Sequence, residues 1–161
     1  MNETKILPDV CPICAGINEP ILSEHTLIKA DDIVFRTDTI VAVVNSFFIQ
    51  GSEGHIIIAP SEHYKNLYEL PDEVGSEIFQ LSKRIAVAMR QTYPGCEGIT
   101  VQQNNERSGG QHALHYHLHI IPRYRSDLFG IEIPTGERTP APEAERAKFG
   151  QLIQEALAVM Q

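Results

Sequence analysis

Three histidines stand at alternate positions in His115-Tyr116-His117-Leu118-His119. A period of two is that of a β-strand, whose successive side chains point to opposite faces. On that reading His115, His117 and His119 share one face, while Tyr116, Leu118 and Ile120 turn to the other and pack on a core. Three imidazoles in a row are a costly way to fill space: each buried ring needs a hydrogen-bond partner, and neighbours that protonate repel one another. Spacing alone leaves two explanations open, namely chemistry at the imidazoles, or a solvated or purely metal-binding face. A second group lies upstream. Cys11-Pro12-Ile13-Cys14 has the spacing of a zinc knuckle, with Pro12 suited to its tight turn, and two cysteines need two further ligands to complete a tetrahedron. The alternative is a reduced thiol pair. Cys96, beside Gly95, reads as a lone thiol.

These side chains must be carried by regular elements, and the sequence suggests which. Ile33–Arg36 and Ile40–Asn45 read as strands joined at Thr37-Asp38. A Gly51-Ser52-Glu53-Gly54 loop leads into a third strand, His55–Ala59, stopped by Pro60. Pro71 opens the clearest helix, in which Val74, Ile78, Leu81, Ile85 and Ala88 or Met89 recur at steps of three and four. Pro94-Gly95 ends it. Gly98–Gln102 reads as a strand, Asn104–Gln111 as a polar loop with glycines, and His115–Ile121 as a strand closed by Pro122. A last helix is expected over Glu143–Val159, with Phe149, Leu152, Ile153, Ala156 and Leu157 on one side. Between them, Arg123–Pro140 lacks periodicity and reads as a surface excursion. Strands joined by short turns, without regular β-α alternation, indicate an α+β fold: an antiparallel sheet of about five strands with one long central helix and a C-terminal helix.

Composition narrows the partners. The 161 residues suit one domain. Thirteen basic against 21 acidic residues give a net charge of −8, which would repel a broad polyanion, so no nucleic-acid partner is expected. A small phosphorylated ligand is not excluded, because local donors govern a pocket. Met1–Val10 shows no basic start before an apolar stretch, so no signal peptide is expected. The longest apolar runs fall far short of the ~20 residues that span a bilayer, and no membrane partner is expected. Three cysteines in such a chain argue for thiols or metal ligands in a cytoplasm-like compartment.

The stretch from Gly110-Gln111-His112 through His115-Tyr116-His117-Leu118-His119-Ile120-Ile121-Pro122-Arg123 resembles the signature of the histidine triad (HIT) superfamily. The resemblance extends upstream to Gly54-His55-Ile56-Ile57-Ile58-Ala59-Pro60, to His63 and to the Cys11/Cys14 pair. The motif-bearing part is thus about 11–123, with 124–161 a C-terminal extension and helix on one HIT-like domain. The resemblance implies that His117 is a nucleophile toward the α-phosphorus of a purine nucleotide ester, anhydride or phosphoramidate, forming a covalent nucleotidyl-histidine that water releases. His119 then serves as a donor to the phosphate or leaving group. Asn45 would bond the ribose and His55 would face the site. Asn104, Gly110 and Gln111 would contact the phosphate, and no catalytic metal is required. His112 stands where the family usually carries a small residue, so it departs from the pattern. The zinc-bearing members take their ligands from positions matching Cys11, Cys14, His63 and His115, which implies a closed, structural Cys2His2 zinc. Many small members are two-fold dimers, which implies a homodimer here. A nucleotide-binding partner protein with little turnover is the alternative from a different class, and a purely structural zinc module a third.

Overall fold

The computed structural model describes residues 10–18, 24–125, 127 and 139–160. Five strands, β1 (Ile33–Arg36), β2 (Ile40–Val44), β3 (Ile56–Pro60), β4 (Gly98–Gln103) and β5 (Leu118–Arg123), form one sheet in the order β1-β2-β3-β5-β4. Every neighbouring pair is antiparallel. Three helices accompany it: α1 (Pro12–Ile17), α2 (Asp72–Thr92) and α3 (Glu143–Val159). The architecture is the expected α+β one.

The sheet is covered unequally on its two faces. Val34, Ile40, Ala42, Val44, Ile56, Ile58, Leu118 and Ile120 meet α2 and α3 in the main core. The helix stripe supplies Ile78, Leu81, Ile85, Ala88 and Met89, all buried, while Val74 lies at its margin. Burying each of the larger side chains among these contributes about 1.5–3 kcal/mol. α2 stops at Tyr93, an extended residue held so by Pro94. In α3, Ile153, Ala156 and Leu157 are buried, and Phe149 and Leu152 pack on the rim. The opposite face carries Val41, Val43, Ile57 and Ala59 under Ile13, Ile17 and Ile28. Both faces of β2 are therefore covered, which is why Ile40–Val44 is apolar throughout rather than alternating.

Three local expectations change. The Cys11–Cys14 turn is the start of the short helix α1, with Pro12 in its first turn and Cys11 as its cap. The histidine strand begins at Leu118 instead of His115. β3 pairs with β5 only as far as Ile58↔Leu118; continuing the register would set Tyr116 against Pro60, which has no N–H to offer. Tyr116 instead donates its backbone N–H to Tyr64 O at 2.7 Å. Finally, β5 runs through Pro122, which pairs with Ile99. β3 ceases to pair beyond Ile56↔Ile120, so the strand has a neighbour only on the β4 side there, where a proline is tolerated. Most of the excursion expected over Arg123–Pro140 lies outside the described residues. No helix among the described residues is long and apolar enough to cross a membrane.

Candidate active site

A cleft of about 1050 Å³ opens on the face that α2 and α3 leave uncovered. His117 and His119 line it, together with Val43, Asn45 and Ile57 of the sheet side and the segment from Glu24 to Ile28. Tyr116 and Leu118 turn into the core, so the alternation predicted from sequence holds at these positions even though the ladder starts one residue after His117.

His117 is buried, and its Nδ1 lies 2.7 Å from His115 O. A carbonyl oxygen only accepts, so Nδ1 carries the hydrogen and the neutral ring keeps its lone pair on Nε2. Burial holds this imidazole below its ordinary value, and nearby His112 lowers it further, against the opposing pull of the His115 carbonyl. The ring is accordingly neutral at pH 7. Its neighbour His119 stands edge-on, with centroids 4.7 Å apart. Behind His119 comes His55, buried, with its Nε2 2.8 Å from His119 Nδ1. Asn45 Nδ2 lies 3.2 Å from His55 Nδ1 and 3.0 Å from Phe47 O. The predicted quartet Asn45, His55, His117 and His119 is thus brought together. His112 is exposed at the cleft.

In the loop over 104–111, Gly110 and Gln111 line the cleft, while much of the loop's hydrogen-bonding capacity is used within the protein. Asn104 Nδ2 donates to Gly109 O at 2.7 Å, and its Oδ1 accepts from Gln102. Asn104 is not among the cleft-lining residues. Gln111 is buried; its Oε1 accepts from Glu106 N at 2.7 Å and its Nε2 donates to Lys65 O at 2.6 Å. Both side chains brace the loop. The N–H groups of Gly109, Gly110 and Gln111 are likewise spent on Glu106 and Arg107 carbonyls. Glycine is required twice here: Gly110 has φ +83°, and a Cβ on Gly109 would sit 2.1 Å from Asn105 O. Among the described residues, the N–H groups of the next three residues, His112, Ala113 and Leu114, donate to no backbone carbonyl, and all three residues line the cleft.

Cys11, Cys14, His63 and His115 converge at the other end of the histidine segment, with one donor atom each, all within 4.8 Å of one another. His115 Nδ1 lies 3.3 Å from Cys14 Sγ and 3.5 Å from Cys11 Sγ, and His63 Nδ1 lies 3.3 Å from Cys14 Sγ. A tetrahedral zinc with bonds of about 2.3 Å to sulfur and 2.0–2.1 Å to nitrogen would separate such atoms by about 3.5 Å, so the donor set fits one. His115 is fully buried, and its Nε2 donates to Pro60 O at 2.9 Å. That bond leaves Nδ1 as the lone pair facing the sulfurs, the orientation that a carbonyl behind the ring imposes on a metal ligand. Burial draws the His115 ring down to about 4, so it too is neutral. His63, by contrast, is exposed.

Two features of the cleft escaped the sequence reading. Lys65 and Arg107 line it, against Glu24 as the one carboxylate among the described lining residues, so this part of an acidic chain is locally basic. The segment 24–28 supplies an apolar wall through Leu27 and Ile28. Neither carries a periodic or motif signal, because both owe their place to chain folding.

Comparison with known proteins agrees with this geometry. The family model described as the HIT domain matches residues 26–126, most of the chain though not the Cys11/Cys14 pair. A Bacillus subtilis protein named hit is 39% identical over 95 residues, 58% of this chain and 65% of that protein. An adenosine 5'-monophosphoramidase of Saccharomyces cerevisiae is 34% identical over 110 residues, 68% of this chain and 63% of that one. The chain therefore spans a little under two thirds of these relatives. A Zn-bound histidine triad family protein from Mycobacterium smegmatis has the same fold, with a TM-score of 0.70, 23% identity, and coverage of 94% of this chain and 95% of that one. With the family model matched across the histidine segment and the sheet that holds it, the chain belongs to the HIT domain family.

Proposed function

We propose that the protein is a nucleotide hydrolase or transferase acting at the α-phosphate of a nucleoside phosphoramidate or dinucleoside polyphosphate. The observation that carries this reading is the 2.7 Å bond from His117 Nδ1 to His115 O in a buried, neutral ring. It leaves Nε2 as an unprotonated nitrogen on a cleft large enough for a nucleotide. In the first step Nε2 attacks the α-phosphorus, a P–N bond forms, and the bond to the leaving group breaks, the departing nitrogen or oxygen taking the bonding electron pair and, where it needs one, a proton from solvent water in the open cleft. In the second step water attacks the same phosphorus and gives up a proton to solvent, the P–N bond breaks with its electron pair returning to His117 Nε2, and a nucleoside monophosphate is released. His119 supports the developing charge with a hydrogen bond to a phosphoryl oxygen. The N–H groups of His112 to Leu114, with Lys65 and Arg107, are assigned to the anion, and Asn45, which also lines the cleft, to the ribose. Similarity to an adenosine 5'-monophosphoramidase favours a purine nucleotide.

The Cys2His2 cluster is assigned to zinc in a structural role. It holds His115, whose carbonyl in turn orients His117, so the metal would fix the nucleophile's backbone without taking part in the reaction. The whole chain acts as one HIT-like domain, in the cytoplasm. A homodimer is supported by exposed apolar side chains on the long helix and the edge strand, Phe79 and Val101.

Incubation with adenosine 5'-phosphoramidate and dinucleoside polyphosphates, followed by mass spectrometry, tests the reading. AMP release and an adduct of AMP mass on the His117 peptide are expected, and both should vanish in His117→Ala. Turnover unchanged in that variant would overturn the mechanism, and tight binding without product would point to a nucleotide-binding partner protein instead.

A further inference from the structure

The chain Asn45–His55–His119 has a direction, and the direction is set at Asn45. Asn45 Nδ2 lies 3.0 Å from Phe47 O, which can only accept, so the nitrogen end of the amide is the end that faces this way. The same nitrogen is 3.2 Å from His55 Nδ1. Its two hydrogens therefore go to the Phe47 carbonyl and to His55 Nδ1, which must be the unprotonated nitrogen of that ring. A neutral His55 then carries its hydrogen on Nε2, and at 2.8 Å it donates to His119 Nδ1. His119 in turn must carry its own hydrogen on Nε2. The neighbouring ring is fixed in the opposite sense, with hydrogen on Nδ1 by its bond to His115 O.

We infer that Asn45 is a positioning residue that acts through His55 to hold His119 as the Nε2–H donor, beside a His117 held as the Nε2 acceptor. Two imidazoles on one cleft, 4.7 Å apart between centroids, thereby offer a phosphate one lone pair and one N–H. Without such relays each ring would populate both tautomers, and part of the molecules would present two lone pairs to an anion. This role is separate from a ribose contact, which the amide oxygen can still make, because it depends on the amide nitrogen. No proton leaves the relay: the amide cannot supply one, so His119 acts as a hydrogen-bond donor and not as a source of a proton.

The identity of residue 45 makes the idea testable, since a carboxylate accepts from a ribose hydroxyl as well as an amide oxygen does but cannot donate to His55. In Asn45→Asp, His55 places its hydrogen on Nδ1, facing the carboxylate, and so loses the Nε2–H that it donates to His119. Long-range nitrogen–proton NMR of histidine-labelled protein at pH 8.5, well above the ordinary imidazole value of about 6.5, reads this directly. The wild type is expected to show both His55 and His119 as Nε2–H tautomers, and Asn45→Asp is expected to show hydrogen on His55 Nδ1. A wild-type His119 or His55 protonated on Nδ1, or an unchanged His55 pattern in the variant, would overturn the inference. The kinetic arm rests on the function proposed above. With adenosine 5'-phosphoramidate at pH 8.5, Asn45→Asp should lose about tenfold in kcat with KM within about threefold. A changed KM with kcat unaltered would leave Asn45 as a ribose ligand only and reject the positioning role. Should the wild type turn over no nucleotide at all, that defeats the proposed function, while the NMR result still decides this one.

Discussion

Asp32 and Arg146 offer the sharpest test of how the cleft wall is held. Both side chains are only 2% exposed, and Arg146 Nε lies 3.2 Å from Asp32 Oδ1. The second carboxylate oxygen accepts from Lys29 N at 2.8 Å. The pair fastens α3 to the 3-10 turn that follows the cleft-lining segment 24–28. With an effective dielectric of about 20, opposite charges at this separation attract by about 5 kcal/mol. Removing two ions from water costs several kcal/mol each, so the intact pair is close to break-even. The Asp32 carboxyl carries that signature: burial raises it, and the Lys29 N–H and the Arg146 charge recover only part of the shift. Deleting one partner strands the other. Asp32→Ala or Arg146→Met is therefore expected to cost about 3–5 kcal/mol, a large share of the ~5–15 kcal/mol that a domain has. The double variant should fall within about 2 kcal/mol of the wild type. Urea unfolding followed by far-UV circular dichroism gives all four corners of the cycle, as the chain has no Trp. Single variants costing under about 1 kcal/mol, or costs that simply add in the double variant, would refute the reasoning.

The metal assignment predicts one zinc per chain by elemental mass spectrometry, lost in Cys14→Ser and weakened in His63→Ala, with a lowered melting temperature after chelation. Melting that is indifferent to chelation would remove zinc from the fold. Acid stability follows from a second ion pair, in which the Arg123 guanidinium, at 2.7 and 2.8 Å, holds the Asp127 carboxyl well below the usual carboxylate range. A depressed carboxyl stabilises the fold above the unfolded value of about 3.9 and loses that contribution as pH falls below it. Asp127→Asn should therefore flatten the fall in melting temperature between about pH 5 and pH 2; an unchanged slope would exclude the pair as a cause.

Much of this protein was legible in the chain because the signals were local. The stripe of α2 needs only the 3.6-residue period, and Pro71 and Pro94 mark its limits by steric rule. The alternation of His115, His117 and His119 with core residues placed the imidazoles on one side, and the Cys11–Cys14 spacing marked the pair that converges with His63 and His115. Other decisions belonged to tertiary structure, since they depend on atoms distant in sequence. Pro60 ended the β3–β5 ladder and so freed His115 and His117 from the strand. The amides of Asn104 and Gln111 found partners inside their own loop and at Lys65 O, although Gln111 also lines the cleft. Lys65, Arg107 and the wall from Glu24 to Ile28 joined the site only through chain crossing. Above all, which nitrogen of each imidazole bears the hydrogen is written nowhere in the order of residues. It depends on the carbonyl of His115 and the amide of Asn45 lying within hydrogen-bonding distance, and folding alone brings the second of these to its ring.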